Sequence, residues 1–363
     1  MKWCALITHL WNESGHRFQY HRCFQEAIET LDLPYEGITN KVCPIANLPK
    51  EWERTLSWRD ATNLLGRVEQ LFSNFFDFSR TFLRSGEERA YFLESYTLRD
   101  AAALALAISL FFKRKDRFYL LMRTDLQSNY TSPKKRALYL TFFRVIQKKL
   151  KSRLILLSDS DKVAAYFEHT LQQKVHVLPI PHTAGLPVAP VCPPKERIRM
   201  WWVGVPNLVK GPDEIKELVK SHTSEKFELS LSEEFPLEGT IPIHYLKSVL
   251  TREEYTEQMA NTDVILLPYD PISYAARTSG IFVETIFAGK IPFVRAGSWL
   301  ADELLKHNLP ELLIKWNSLD AIARLARDPS VHAKLTAMQN HYRHYHCMES
   351  FTQTLSHIYS QIG

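Results

Sequence analysis

A chain of 363 residues is longer than one hydrophobic core ordinarily fills, about 250–300 residues, so two domains are expected. Apolar residues make up 45% and no low-complexity run or fixed-period repeat occurs, which excludes disordered and solenoid classes and leaves an ordinary globular protein. The net charge of +5 is mild and matters only where it is concentrated; five scattered cysteines, with neither metal-ligand nor disulfide spacing, point to a reducing cytosol.

Short apolar runs alternate with helical patterns along the whole chain, the pattern of an α/β protein with largely parallel sheets. The first run, Trp3 to Ile7, is too short for a signal peptide and predicts a strand over 3–8. Helices follow at 20–31 and 58–83, then a strand at 90–94 and a helix at 98–112. The apolar core of that helix falls short of the ~20 residues that cross a bilayer, so it is expected to be buried. Strands at 118–123, 154–158 and 175–178 enclose helices at 134–151 and 159–171.

Several loops of this half carry candidate residues. Asn12 to His16 lies between the first strand and first helix, where Gly15 permits close backbone approach and His16 is either a general base or an exposed loop histidine. Arg123 ends a strand beside Asp125 and either contacts a ligand or pairs with that aspartate; Glu94 is a weaker candidate of the same kind. The stretch 134–153 holds eight Lys/Arg residues and no acid, interleaved with Leu138, Phe142, Phe143 and Ile146. It reads either as a helix lying on an anionic membrane surface or as a buried apolar face with a solvated basic one. No recognised nucleic-acid fold accompanies that charge, so no nucleic-acid partner is expected. Asp159-Ser160-Asp161 is read as a helix cap, not a metal site, and the histidines from His341 to His346 are read as incidental.

Six prolines between Pro179 and Pro194 mark a stiff linker. Beyond it, strands are predicted at 199–203, 227–231, 241–245, 264–267, 291–294 and 312–314, a helix at 213–220, and three helical stretches from Leu319. The first of these strands leads to Gly204, then to Lys210-Gly211 before a helix; Lys210 either faces a phosphate or is a solvated loop lysine.

The densest signal runs from Asp263 to Gly297. A buried-type strand, Val264 to Leu267, stops at Pro268; a polar loop carries Tyr269, Asp270 and Arg277; Ser279-Gly280 opens an apolar helix that breaks at Gly289. Loops leaving the carboxyl end of a strand and entering a helix N-terminus favour anions, and the forked guanidinium of Arg277 suits phosphate. Glu284, one turn into the apolar helix, is a buried acid that requires a partner, for which a sugar diol is the candidate. Tyr269 lines that pocket or merely packs.

These residues, with Lys290 and Pro292, resemble the donor-binding region of GT-B glycosyltransferases, in the broad group 1 that includes family 4. Where many family 4 enzymes carry a first glutamate this chain has Ala276, and Val205 stands where an arginine would follow Gly204. The resemblance implies two doubly wound Rossmann-like domains facing a cleft: an acceptor-side domain over 1–182, a linker over 183–197, a donor domain over 198–345, and a terminal helix over 346–363 crossing back. It implies a hexosyltransferase-like enzyme moving a sugar from a nucleotide-sugar donor to a sugar, lipid-linked or protein acceptor. Glu284 would hold the donor diol, with Lys210 and Arg277 on the diphosphate, Gly204, Gly211, Tyr269, Ser279 and Gly280 around the donor, and Gly15, His16 and Arg123 on the acceptor side. No metal and no cofactor beyond the co-substrate are expected, retention of configuration is implied, and cell-surface glycan or glycolipid synthesis at the inner membrane surface is the expected setting. The alternatives are a nucleotide-sugar epimerase of the same fold and a catalytically silent sugar-nucleotide-binding protein.

Overall fold

Parallel strands covered on both faces must be apolar along their whole length, and that requirement shapes both halves of the molecule. The computed structural model describes residues 1–10, 16–57, 63–84, 86–127, 131–204, 206–220 and 226–361. It divides into two units, Met1–Pro179 with Phe351–Gly363, and Ile180–Ser350.

Unit 1 runs β1 (Lys2–Ile7), α1 (His16–Thr30), β2 (Tyr35–Asn40), β3 (Trp52–Leu56), α2 (Leu64–Leu83), β4 (Arg89–Leu93), α3 (Leu98–Phe111), β5 (Arg117–Met122), α4 (Pro133–Leu150), β6 (Leu154–Ser158), α5 (Asp161–Leu171) and β7 (Val175–Val177). Its strands lie parallel in the order β3-β2-β1-β4-β5-β6-β7. The core is aromatic: Phe24 stacks on Phe92 with centroids 4.0 Å apart, and Trp3 lies 4.5 Å from Tyr119. Side-chain caps fix the helix starts, with Asn63 before α2, a Thr97–Asp100 capping box on α3, Ser132 and then Pro133 at α4, and Ser160 before α5. The strands β2 and β3 are absent from the sequence reading. β2 has only Tyr35 and Ile38 as large apolar residues, and it buries its polar ones by pairing: Glu36 meets Lys2 at 2.6 Å and Arg89 at 2.5 Å.

Unit 2 runs β8 (Ile198–Trp202), α6 (Pro212–Lys220), β9 (Phe227–Ser232), β10 (Ile243–Leu246), α7 (Arg252–Asn261), β11 (Val264–Leu267), α8 (Gly280–Phe287), β12 (Ile291–Val294), α9 (Trp299–Lys306), α10 (Leu319–Leu325) and α11 (Pro329–Tyr345). Its five parallel strands lie in the order β10-β9-β8-β11-β12. The strand expected at 312–314 is instead a 3₁₀ turn, Pro310–Leu312, followed by a single bridge from Leu313 to Val294. Helices α7 and α9 also went unread; α7 is polar, with only Met259 fully buried, and forms through a Thr251–Glu254 capping box. A last helix, α12 (Met348–Ser360), places Phe351 against Tyr20 and Phe24 and Tyr359 against Trp3, all within unit 1.

The proline-rich stretch forms neither helix nor strand over 178–197, yet Ile180, His182, Thr183 and Leu186 are buried. Its backbone is held by side chains of unit 2. The Ile180 N–H donates to His346 Nδ1 at 2.9 Å, the Thr183 hydroxyl donates to the His346 carbonyl at 2.6 Å, and Arg252 Nη2 donates to the carbonyls of His182 (3.1 Å) and Ala184 (3.0 Å).

Burial, then His182 and His341, pushes the His346 imidazole down from 6.5 to about 3, as its accepting Nδ1 requires. A group with a depressed folded value binds fewer protons folded than unfolded, so its contribution is complete above 6.5 and is lost as pH falls toward about 3. Acid should therefore destabilise the protein by on the order of a few kcal/mol through this residue alone. His346→Asn, whose Oδ1 accepts without titrating, should flatten that part of the pH–stability curve in thermal melts.

Candidate functional site

In an open parallel sheet, ligands bind beyond the strand carboxyl ends where the strand order reverses. In unit 2 that point lies between β8 and β11. The loops leaving these strands are the ones carrying Gly204 to Gly211 and Tyr269 to Ser279.

Close approach of the two loops depends on missing side chains. Gly211 has φ +70°, and a Cβ there would run into the Pro268 carbonyl oxygen. The Asp270 N–H donates to the Val209 carbonyl at 2.9 Å and the Trp202 indole N–H donates to the Lys210 carbonyl at 3.1 Å, which locks the turn to the sheet. Gly204 has φ +89°, and the space its Cβ would fill is taken by Lys210 Nζ. That amine donates to the Val203 carbonyl at 3.3 Å. Ile281, in the first turn of α8, lies on the other side of the same space.

Arg277 completes the cluster, its guanidinium 5.2 Å from the Tyr274 ring, which itself lies 4.5 Å from Tyr269. Tyr269 is buried beside Ser279, and Ser279 caps α8 by accepting from the Phe282 N–H at 3.2 Å, so Gly280 is the first helical residue. Among the described residues, no acid lies within ion-pair distance of Lys210 or Arg277. Burial, with Arg277 second, pushes the Lys210 ammonium down from 10.5 to about 8. Two cations thus influence one another near a helix N-terminus, with no acid among the described residues to neutralise them.

Glu284 sits one turn further along α8 and is closed off, at 1% exposure. One carboxylate oxygen accepts from Arg252 Nη1 at 3.1 Å with His182 Nδ1 at 3.4 Å, and the other accepts from the Tyr255 hydroxyl at 2.6 Å. Its partners therefore come from α7 and from the proline-rich stretch. Sequence reasoning missed Arg252, Tyr255 and His182. The signal available was Arg252 and Tyr255 at i, i+3 on one face of a helix that the sequence reading omits.

In unit 1 the order reverses between β1 and β4. Gly15 lies outside the described residues, and of His16 only its place at the start of α1 is described. Arg123, beyond the end of β5, pairs with Glu94 at 2.9 Å and approaches Asp159 at 3.6 Å rather than Asp125, and its guanidinium lies 4.5 Å from the Tyr20 ring. His21 meets Glu94 at 2.7 Å. Burial works against the Glu94 carboxylate, yet Arg123 and His21 hold it down at about 2. The charges at these strand ends are cancelled within the fold.

No protein-family model matches the sequence, and no curated protein is similar to it in sequence. Solved structures do share its architecture. An α-glucosyltransferase in complex with UDP and a 13-mer DNA matches with a TM-score of 0.54 at 12% identity, over 100% of this chain and 99% of that one. The N-terminal domain of Candida albicans trehalose-6-phosphate phosphatase matches with a TM-score of 0.65 at 9% identity, over 100% and 97%. A UDP-N-acetylglucosamine 2-epimerase assignment is attached to a Listeria monocytogenes structure that matches at 0.52 and 10% identity, over 97% and 94%. The chain has the GT-B fold. Identities this low speak to the fold alone.

Within unit 2, Lys210 is a largely buried cation with no acid partner among the described residues. Keeping a partly buried ammonium beside a guanidinium costs on the order of 2 kcal/mol after solvent screening is allowed for. The sign is fixed by the depressed value: the cost is full below about 8 and fades as pH rises toward 10.5. Lys210→Met should therefore raise the melting temperature of the ligand-free protein at neutral pH, with the gain shrinking in alkali, as thermal melts across that range would show. Gly204→Ala should instead destabilise, because it strains φ +89° and evicts the amine.

Proposed function

We propose that the protein transfers a sugar, of hexosyl type, from a nucleotide-sugar donor to an acceptor hydroxyl. One observation carries the reading: at the β8/β11 switch point, beside the N-terminus of α8, the Lys210 amine feels the charge of the Arg277 guanidinium, with no described acid to balance them. An anion with two or more charges fits such a place, and the leaving diphosphate of a nucleotide sugar gains charge as the glycosidic bond breaks. Lys210 and Arg277 would bind the diphosphate in the ground state and hold it more strongly as that bond lengthens. Gly204, Gly211 and Gly280 let backbone approach the phosphates, and Ser279 with Tyr269 shapes the pocket wall. In this reading cations and helix amides do the work that a divalent metal does elsewhere.

For Glu284 the buried ion pair favours a positioning role over direct contact with a donor diol, since both its oxygens already accept hydrogen bonds. Through Arg252 and Tyr255 it fixes α8 against α7, and so fixes the end of α8 on which Ser279 and Gly280 stand. Acceptor recognition is assigned to unit 1, where Arg123 is an ordered cation over Tyr20. Retention of configuration rests on the family resemblance. The UDP bound by the structurally similar α-glucosyltransferase makes a uridine donor the first to try. A nucleotide-sugar epimerase is the second reading, because one similar structure carries that assignment.

A thermal-shift screen of nucleotide sugars should single out one donor by its stabilisation of the protein. Lys210→Met and Arg277→Gln should each weaken that donor by about tenfold to a hundredfold, as expected for a charge-assisted phosphate contact. Affinity should also fall as pH rises through about 8, the value to which burial and Arg277 lower Lys210, and that dependence should vanish in Lys210→Met. Equal donor affinity in wild type and both variants would overturn the site. A labelled donor then separates the reactions: a glycosylated acceptor supports transfer, and an altered free nucleotide sugar supports epimerisation.

A further inference from the structure

Helix α2 is built inside out over residues 64–77. Its buried residues there are Gln70, Asn74 and Asp77, whereas Leu65, Val68, Phe72 and Phe76 are 77%, 46%, 56% and 62% exposed. Two of the inward polar groups find partners in the fold: Asn74 Nδ2 donates to Asp100, and Asp77 accepts from the Ser57 N–H at 2.5 Å, while the Gln70 amide has none among the described residues. A solvated surface helix shows the opposite arrangement. The neighbouring α3 continues the apolar face with Leu106 and Leu110, 52% and 66% exposed. Phe75 joins the two helices, its ring 5.4 Å from Phe76 and 6.1 Å from Phe111. Exposed apolar residues thus stand on two neighbouring helices, and an apolar patch on a surface marks a contact.

Helix α3 packs between α2 and α4. In α4 the apolar residues Phe143, Ile146 and Leu150 are buried in the fold, while Leu138 and Val145 stay 47% and 40% exposed. The helix also offers charge: Lys134, Lys135, Arg144, Lys148 and Lys149 are exposed and no acid lies in the helix. The most exposed apolar side chains thus stand on α2 and α3, and the basic charge on the neighbouring α4. No helix among the described residues is long and apolar enough to cross a membrane.

We propose that the α2–α3 face of unit 1 lies on an anionic lipid surface, with Leu65, Val68, Phe72, Phe76, Leu106 and Leu110 at the acyl boundary and the α4 lysines over the headgroups. Charge selects the occupant. A second copy of this chain paired through the same face would leave the α4 cations uncompensated, while anionic headgroups neutralise them. The inference stands apart from the donor site and would survive its failure.

Flotation with vesicles tests it. The full chain should float with roughly 3:1 phosphatidylcholine–phosphatidylglycerol vesicles, much less with phosphatidylcholine alone, and less again in high salt. Phe72→Ser/Phe76→Ser should reduce partitioning by about tenfold or more, since two exposed rings lose their place in the lipid. Lys134→Gln/Lys135→Gln/Lys148→Gln should abolish the preference for anionic vesicles. All five positions are exposed, so the variants should melt as the wild type does. Three results would overturn the proposal: no flotation, flotation untouched by the phenylalanine changes, or a dimer in sedimentation that those changes dissociate.

Discussion

The organisation of unit 2 turns on an amine for which the described residues offer no acid partner. Lys210 reaches back over its own turn into the space a side chain at Gly204 would occupy. That is possible only because Gly211 brings the turn against the Pro268 carbonyl, and because Asp270 binds back to Val209. Each of these contacts joins the end of β8 to the end of β11. The reversal of strand order between those two strands opens the place, the glycines let the loops close around it, and the cation remains as the reason for both.

Several buried acids of this molecule have charged or hydrogen-bonding partners. Glu94 has Arg123 and His21, Glu36 has Lys2 and Arg89, and Glu284 has Arg252 and Tyr255. Buried charges with partners are commonly structural, since removing either partner leaves the other stranded. Against that background Lys210, with a nearby cation and no described acid partner, is the charge on which the proposed donor site rests. Glu284 stands where a ligand contact is expected, and each of its oxygens also accepts a hydrogen bond from α7.

Local patterns made much of this legible. The buried runs Val264 to Leu267 and Ile291 to Val294, stopped by Pro268 and preceded by Gly289, name their own strands, and Ser279-Gly280 names the start of α8. What escaped depends on distant residues. β2 is a strand because Lys2 and Arg89 absorb Glu36, and α7 is a helix through its caps and not through an apolar stripe. The partner of Glu284 lies 32 positions away, on that same unread helix. Short-range spacing finds a residue's element, while the tertiary fold decides what its side chain meets.

Helix α2 carries that distinction furthest. The repeat of Leu65, Val68, Phe72 and Phe76 along its length reads as a core-facing stripe, since apolar faces ordinarily turn inward. Here the opposite side is buried, because Asp100 and the Ser57 backbone offer Asn74 and Asp77 hydrogen bonds that water would otherwise supply. Periodicity identifies the two faces of a helix but not the direction each one takes. When polar partners inside the fold decide that direction, the apolar face is turned outward, where covering it with an apolar medium would be favourable.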